Sequence, residues 1–336
     1  MRIGILPPHV DMSGTLLDSH GLAERARMIE AAGLDGIWVS DRLPIPGHAR
    51  LDGPDTYGYL TVIAHATENV EVGSAICIVP LRNPYDLAQR IYTLQTFAPG
   101  RVTIGVGTGS QAREYQAAGV EWADRFKLLD RGMEVVHQVF EGREVPELEA
   151  MFAEKASAAG IENAYGHWHG QAFKSGEQDP WANEKPWATK VGAPRFLLGA
   201  WFSDAQLRRA ASKYQGWIAS AGAGAMFGGW VKMKDIVKRY RDLGGTRAIA
   251  TSVDIDLKMP TTPLADDGAF HLRCQPKEAS ERLRYLEELG FDDVILNLTD
   301  HTSKVLAGPR QFDFTMETVQ EIRSLLPKDT RSYRDS

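Results

Sequence analysis

The residue types that could carry chemistry are few and fall in short clusters. Gly105-Val106-Gly107-Thr108-Gly109, followed by Ser110, is a glycine-rich run whose backbone N–H groups can approach a flat ligand closely. Its GxGxG spacing differs from the GxGxxG of dinucleotide sites, and the chain holds neither a GxxxxGK[ST] phosphate loop nor a GxSxG nucleophile elbow. Asp41 and Arg42 are adjacent and form the candidate catalytic pair. The planar guanidinium of Arg42 suits an anionic ligand, or else closes a rim salt bridge with Asp41 or another neighbour. Ser203 stands just before an amphipathic segment, where it can cap a helix, and a helix start also attracts phosphate. Trp201 and Phe202, beside it, could line a ring-shaped pocket or serve as ordinary core. His167 and His169 lack the HExxH spacing of a helical zinc site, and Cys77 and Cys274 are too few for a disulfide framework or a Cys-rich zinc site. No metal is expected.

These clusters follow a repeated pattern. Short β-branched runs predict eight strands, at 2–6, 36–40, 70–79, 101–107, 195–200, 216–220, 247–256 and 293–298. Amphipathic segments predict helices at 19–32, 57–67, 84–97, 124–140, 204–213, 230–243, 277–289 and 314–325. Gly33 and Gly290 stand where a left-handed residue closes a last helical turn. Eight alternations point to a parallel sheet with helices outside, closed into a TIM-type (β/α)8 barrel as one domain over 1–327. In such barrels catalytic groups follow the strands, and the clusters above do so. Residues 141–194 break the rhythm between strands four and five, with Trp168, Trp181 and Trp187. They form either an active-site lid or a solvent-facing excursion. Residues 328–336 read as a polar tail.

The 336 residues are 43% hydrophobic and 24% charged, which excludes wholesale disorder. With 38 Lys plus Arg against 44 Asp plus Glu, the net charge of −6 argues against nucleic-acid binding. No apolar run reaches the ~18 residues of a spanning helix, so no membrane partner is expected. The opening MRIGILPPHVDMSG does not read as a signal peptide, so the cytoplasm is the expected compartment.

Gly36-Ile37-Trp38-Val39-Ser40-Asp41-Arg42, the stretch Ala66–Ser110, the stretch Pro194–Ser220 and the stretch Pro276–Leu298 resemble the bacterial luciferase-like flavin monooxygenases and their deazaflavin-dependent relatives. Ala66–Ser110 is the most specific, with Pro80, Asn83-Pro84, Leu94, Pro99-Gly100-Arg101 and GVGTG in family order. The resemblance implies a flavin across the C-terminal mouth, its ring over Ile76, Cys77 and Ile78, where a non-proline cis peptide is expected. It places the phosphate at Phe202 and Ser203, with Gly107, Thr108 and Gly109 alongside. Arg42 stands where many deazaflavin members carry His, and Ser110 where sugar-phosphate dehydrogenases carry Glu. The implied function is a monooxygenase using O2 and reduced FMN from a separate flavin reductase on a small organic substrate. The alternatives are hydride transfer with the deazaflavin coenzyme F420, and a flavin-binding protein without catalysis. The resemblance also implies a homodimer.

Overall fold

The computed structural model describes residues 1–11, 15–45, 53–143, 184–220, 229–298 and 314–327. Its first half runs β1 (Arg2–Leu6), α1 (Ser19–Ala31), β2 (Gly36–Val39), α2 (Thr56–Ala66), β3 (Glu71–Ile78), α3 (Pro84–Phe97), β4 (Val102–Gly107), α4 (Ala112–Ala117) and α5 (Arg125–Glu141). The second runs α6 (Trp187–Val191), β5 (Arg195–Gly199), α7 (Asp204–Lys213), β6 (Gly216–Ser220), α8 (Met233–Asp242), β7 (Arg247–Asp256), β8 (Leu272–Arg273), α9 (Pro276–Glu288), β9 (Asp293–Asn297) and α10 (Met316–Ser324). Strands β1 to β6 pair in sequence order, β6 pairs with β7, β7 with β9, and β9 with β1, all in parallel. That ring is a closed (β/α)8 barrel. The two-residue β8 pairs with the far end of β7, Ile255 opposite Leu272, and lies outside the ring.

The eight expected strands are the eight of the ring. Elements α4, α6 and β8 were not expected; at six, five and two residues they are too short to show a period in sequence. The helix expected over 230–243 begins as a 3₁₀ turn, Trp230–Lys232, before α8. Gly33 and Gly290 take φ of 82° and 101°, the left-handed conformation that ends a helix. Most of the 141–194 stretch, with Trp168, Trp181, His167 and His169, lies outside the described residues, as does the 328–336 tail.

Two hydrophobic regions hold the barrel. Outside the ring, helix faces such as Leu22, Ala26 and Ile29 of α1 pack on outward strand residues. Each fully buried large side chain there contributes about 1.5–3 kcal/mol. Inside, side chains of alternate residues stack in layers, because strand side chains point to opposite faces with a period of two. The lowest layer holds Arg2, Glu71, Thr103, Arg247 and Asp293, buried and bonded to one another. Above it Trp38, Leu197, Ile218, Ile249 and Ile295 form an apolar layer. Trp38 fits because Gly73 lies opposite: a Cβ there would come within 2.4 Å of the indole. The top layer opens to solvent at the C-terminal end.

Candidate active site

The residues after the strands line a cleft of about 1130 Å³ at the C-terminal mouth. One wall comes from β3. The ladder with β4 pairs Ser74 with Ile104 and Cys77 with Val106, so Ala75 and Ile76 together oppose Gly105 in a bulge. The Ala75–Ile76 peptide is cis. The bulge turns Ile76 into the cleft, against Gly199, where a Cβ would meet Ile76 Cγ2 at 2.4 Å. Ile78, after the bulge, also lines the cleft, packed under Gly109, whose φ of 65° suits glycine.

The same bulge corrects one expectation. Because two residues fill one ladder position, Cys77 faces outward with Val106, into the core between sheet and helices, and not the cleft. Its thiol is fully buried; burial first, then the nearby charge of Asp41, pushes its pKa far up, which makes it a poor nucleophile. Gly107 is likewise not on the cleft surface. It sits beneath Ile76, and a Cβ there would crowd Gly199 O at 2.8 Å.

Asp41 lies at the cleft edge but is 4% exposed, with both carboxylate oxygens engaged. Ile78 N–H donates to it at 2.9 Å, Thr56 Oγ1 at 3.2 Å, and Arg82 Nη2 at 2.5 Å. Burial lowers the Arg82 pKa, but Asp41 outweighs it and holds the guanidinium charged. Asp41 therefore braces the β3 bulge at the edge of the cleft. Arg42 does not pair with Asp41. It is half-buried at the cleft, with Nη1 3.8 Å from Glu114 Oε2 on α4.

At the other end stands the start of α7. Ser203 caps it, its Oγ accepting the Gln206 N–H at 3.4 Å. Trp201, Phe202, Ser203 and Gln206 all line the cleft, and so do Lys232, Asp235 and Arg239 from the α8 segment. Arg239 Nη1 donates to Asp204 Oδ1 at 2.6 Å, which fixes the guanidinium beside the α7 start. Thr108, Gly109 and Ser110 line the cleft from the loop after β4.

Several lining residues carry no sequence signal that the strand-end rule could find. Arg125 begins α5, stacked between the Trp122 and Phe126 rings at 4.3 and 4.6 Å. Ser252 lines the mouth from the irregular register of β7, with φ 59°. Lys232 and Arg239 lie well beyond strand six in the chain, in the 3₁₀ turn before α8 and in α8 itself. Ala221 to Gly224 and His301 lie outside the described residues. Among the described residues no group of three or more His, Cys, Asp and Glu is gathered as metal ligands would be, and no helix is long and apolar enough to cross a membrane.

The chain is 34% identical over 123 residues to the F420-dependent glucose-6-phosphate dehydrogenase of Kineococcus radiotolerans, a match covering 35% of this chain and 36% of that protein. The alignment thus spans about a third of this curated relative. Two solved structures share the fold at low identity. The coenzyme F420 dependent tetrahydromethanopterin reductase of Methanopyrus kandleri superposes with a TM-score of 0.62 at 15% identity, covering 97% of this chain and 98% of that one. The oxygenating constituent of 3,6-diketocamphane monooxygenase from Pseudomonas putida, a type II Baeyer-Villiger monooxygenase in complex with FMN, gives 0.64 at 14% identity, covering 96% of each chain. The sequence profile of the luciferase-like monooxygenases matches residues 1–241, from β1 through α8 and so across most of the barrel and its cleft, and the chain belongs to that family.

Proposed function

We propose that the protein is an oxidoreductase that holds reduced FMN across the cleft and, with O2, oxidises a small organic substrate. One observation carries this reading: a single cleft joins a ring-sized wall to a one-phosphate cradle. The wall is Ile76 and Ile78 with Gly109 and Gly199 beside them, an apolar surface wide enough for a flat ring. The cradle is the capped start of α7. Ser203 Oγ accepts an N–H and keeps its own O–H to donate, while Arg239 and Lys232 supply positive charge. The donor set fits a dianionic phosphate. When bound, the cofactor supplies the redox chemistry, and the protein supplies orientation and a shaped environment. Ile76 and Ile78 bear on the ring, Asp41 holds Ile78 through its N–H, and Arg42 meets negative charge on the ring or the substrate. Trp122, Phe126 and Trp201 leave an apolar surface for an organic substrate of moderate size. A separate reductase that delivers the reduced flavin, a homodimeric assembly and a cytoplasmic location complete the proposal. Light scattering at micromolar concentration that returns a monomer mass removes the dimer.

Hydride transfer with deazaflavin is the second reading. Identity to an F420-dependent dehydrogenase favours it, as do Arg42 and Arg125, two further cations on the cleft for a coenzyme with more negative charge than FMN. Anaerobic titration with reduced FMN and with reduced deazaflavin separates the two. Tight binding of reduced FMN, followed by substrate-dependent O2 uptake, supports the first; tight binding of deazaflavin alone overturns it. Binding of either cofactor without turnover of any substrate would leave a carrier protein.

A further inference from the structure

The loop after β2 and the loop after β4 reach the cleft from neighbouring strands, and one turn of α4 holds both. Tyr115 is buried and donates its hydroxyl to Thr108 O at 2.6 Å. Burial above all, with a smaller push from Glu114, raises the Tyr115 pKa to about 12, so the phenol remains a donor. Glu114, its chain neighbour, is 0% exposed. Glu114 Oε1 accepts the Leu43 N–H at 3.0 Å, but Oε2 is buried without a hydrogen-bond donor and faces Arg42 Nη1 at 3.8 Å.

A buried carboxylate oxygen without a donor is costly, and native structures seldom keep one without a reason. Arg42 is the cation facing it, and a shift of about 1 Å would bring the guanidinium to ordinary hydrogen-bond distance. We infer that Glu114 is a positioning residue: its buried carboxylate, through Leu43 N–H and Arg42, sets where the Arg42 guanidinium stands in the cleft. Arg42 is thereby held from behind by one carboxylate oxygen, and its other donors serve an anionic group on the cleft side. Glu114 itself does not line the cleft, so it acts through Arg42 and not on a ligand. The role assigned to Arg42 rests on the reading above; the link between Glu114 and Arg42 does not.

The test therefore begins without cofactor. A guanidinium held by a carboxylate reacts slowly with phenylglyoxal, because the reagent must reach nitrogens that the carboxylate covers. In the full-length protein, Glu114→Gln keeps an acceptor for Leu43 N–H and removes the charge. Peptide mass spectrometry is expected to show Arg42 modified several-fold faster in Glu114→Gln, with Arg239 unchanged as internal reference. An unchanged Arg42 rate overturns the inference. A second measurement asks whether the link matters to binding. In a double-mutant cycle read by FMN affinity, Glu114→Gln is expected to weaken binding several-fold in the parent and not to weaken it further in an Arg42→Ala background. Equal, additive losses in both backgrounds mean that Glu114 supports the fold and not Arg42, and they overturn the inference. If neither FMN nor deazaflavin binds the parent, the functional reading fails while the phenylglyoxal rates still decide the Glu114–Arg42 link.

Discussion

The two ends of the barrel spend their charges differently. At the N-terminal end every buried charge is answered within the protein. Arg247 forks onto Glu71 at 2.7 and 2.6 Å and reaches Asp293 at 2.9 Å, while Arg2 bonds the same Asp293 at 2.6 and 2.8 Å. Burial alone would lower the Arg247 pKa, but Glu71 and Asp293 hold it well above its usual value. For Asp293, burial raises the pKa and Arg247 and Arg2 outweigh it, so the carboxylate stays ionised. At the C-terminal end the cations Arg42, Arg125, Lys232 and Arg239 line the cleft; Arg42 stands 3.8 Å from Glu114 Oε2, and Arg239 pairs with the exposed Asp204. Closed pairing at one end and spare donors at the other is what separates a plug from a binding site.

The largest expected effect breaks the closed end. Arg247→Met leaves Glu71 and Asp293 buried without their main partner and should cost about 3–5 kcal/mol, read by denaturant unfolding. Cofactor affinity measured on the folded fraction should remain at the parental value. Asp41→Ala tests the border between the two ends. It strands Arg82 and the Ile78 N–H, and should cost about 2–3 kcal/mol of stability while also weakening cofactor binding through the β3 bulge. If Asp41→Ala loses only turnover, with stability intact, the brace assigned to it is wrong and it is catalytic after all.

At the open end the expected losses fall on binding. Ser203→Ala should weaken cofactor binding by about 1.5–3 kcal/mol, the value of a hydrogen bond to a charged group, and turnover should recover at saturating cofactor. The helix cap accounts for a further loss of about 1 kcal/mol in stability. Isothermal titration and thermal unfolding separate the two.

The barrel was legible because its period is. Eight β-branched runs at regular spacing, with Gly33 and Gly290 marking helix ends, need nothing but local pattern. The cleft was legible where a residue follows its strand directly, as Thr108, Gly109 and Ser203 do. It was not legible where a residue arrives from elsewhere in the chain. Arg125 and Arg239 reach the cleft from helices, and nothing in their local sequence separates them from other surface arginines. Cys77 was misplaced for a different reason. Whether a residue faces in or out at the end of β3 depends on the bulge at Ala75 and Ile76, and a one-residue change in register reverses every later side chain. Asp41 was given chemistry because it follows strand two directly; its partner in space, Arg82, lies 41 positions further along and could not be read from that local pattern.

The smallest expected effect is in the acid limb of stability. Burial lowers the pKa of both His137 and His271. A lowered folded value means that the unfolded chain takes up protons first, so their contribution is full at neutral pH and declines as pH falls below about 6.5. Asp293 adds a second loss at lower pH. Its contribution is present above the unfolded value of about 3.9 and disappears as pH falls through its depressed folded value. Unfolding curves from pH 7 to pH 3 should show one decline that begins below about pH 6.5 and a second below about pH 4. Asp293→Asn should flatten the second, and a second limb unchanged in that variant would place the acid-sensitive group elsewhere.

Hydrogen–deuterium exchange with and without cofactor tests the contrast between the two ends most directly. Saturating FMN, or deazaflavin if that is the one that binds, should slow exchange in the segments carrying Ile76 to Ile78, Thr108 to Ser110 and Trp201 to Gln206. The strand starts that carry Arg2, Glu71, Arg247 and Asp293 should exchange as slowly with cofactor as without it. Protection confined to segments away from the C-terminal mouth, with those three unchanged, would contradict the cleft as the cofactor site.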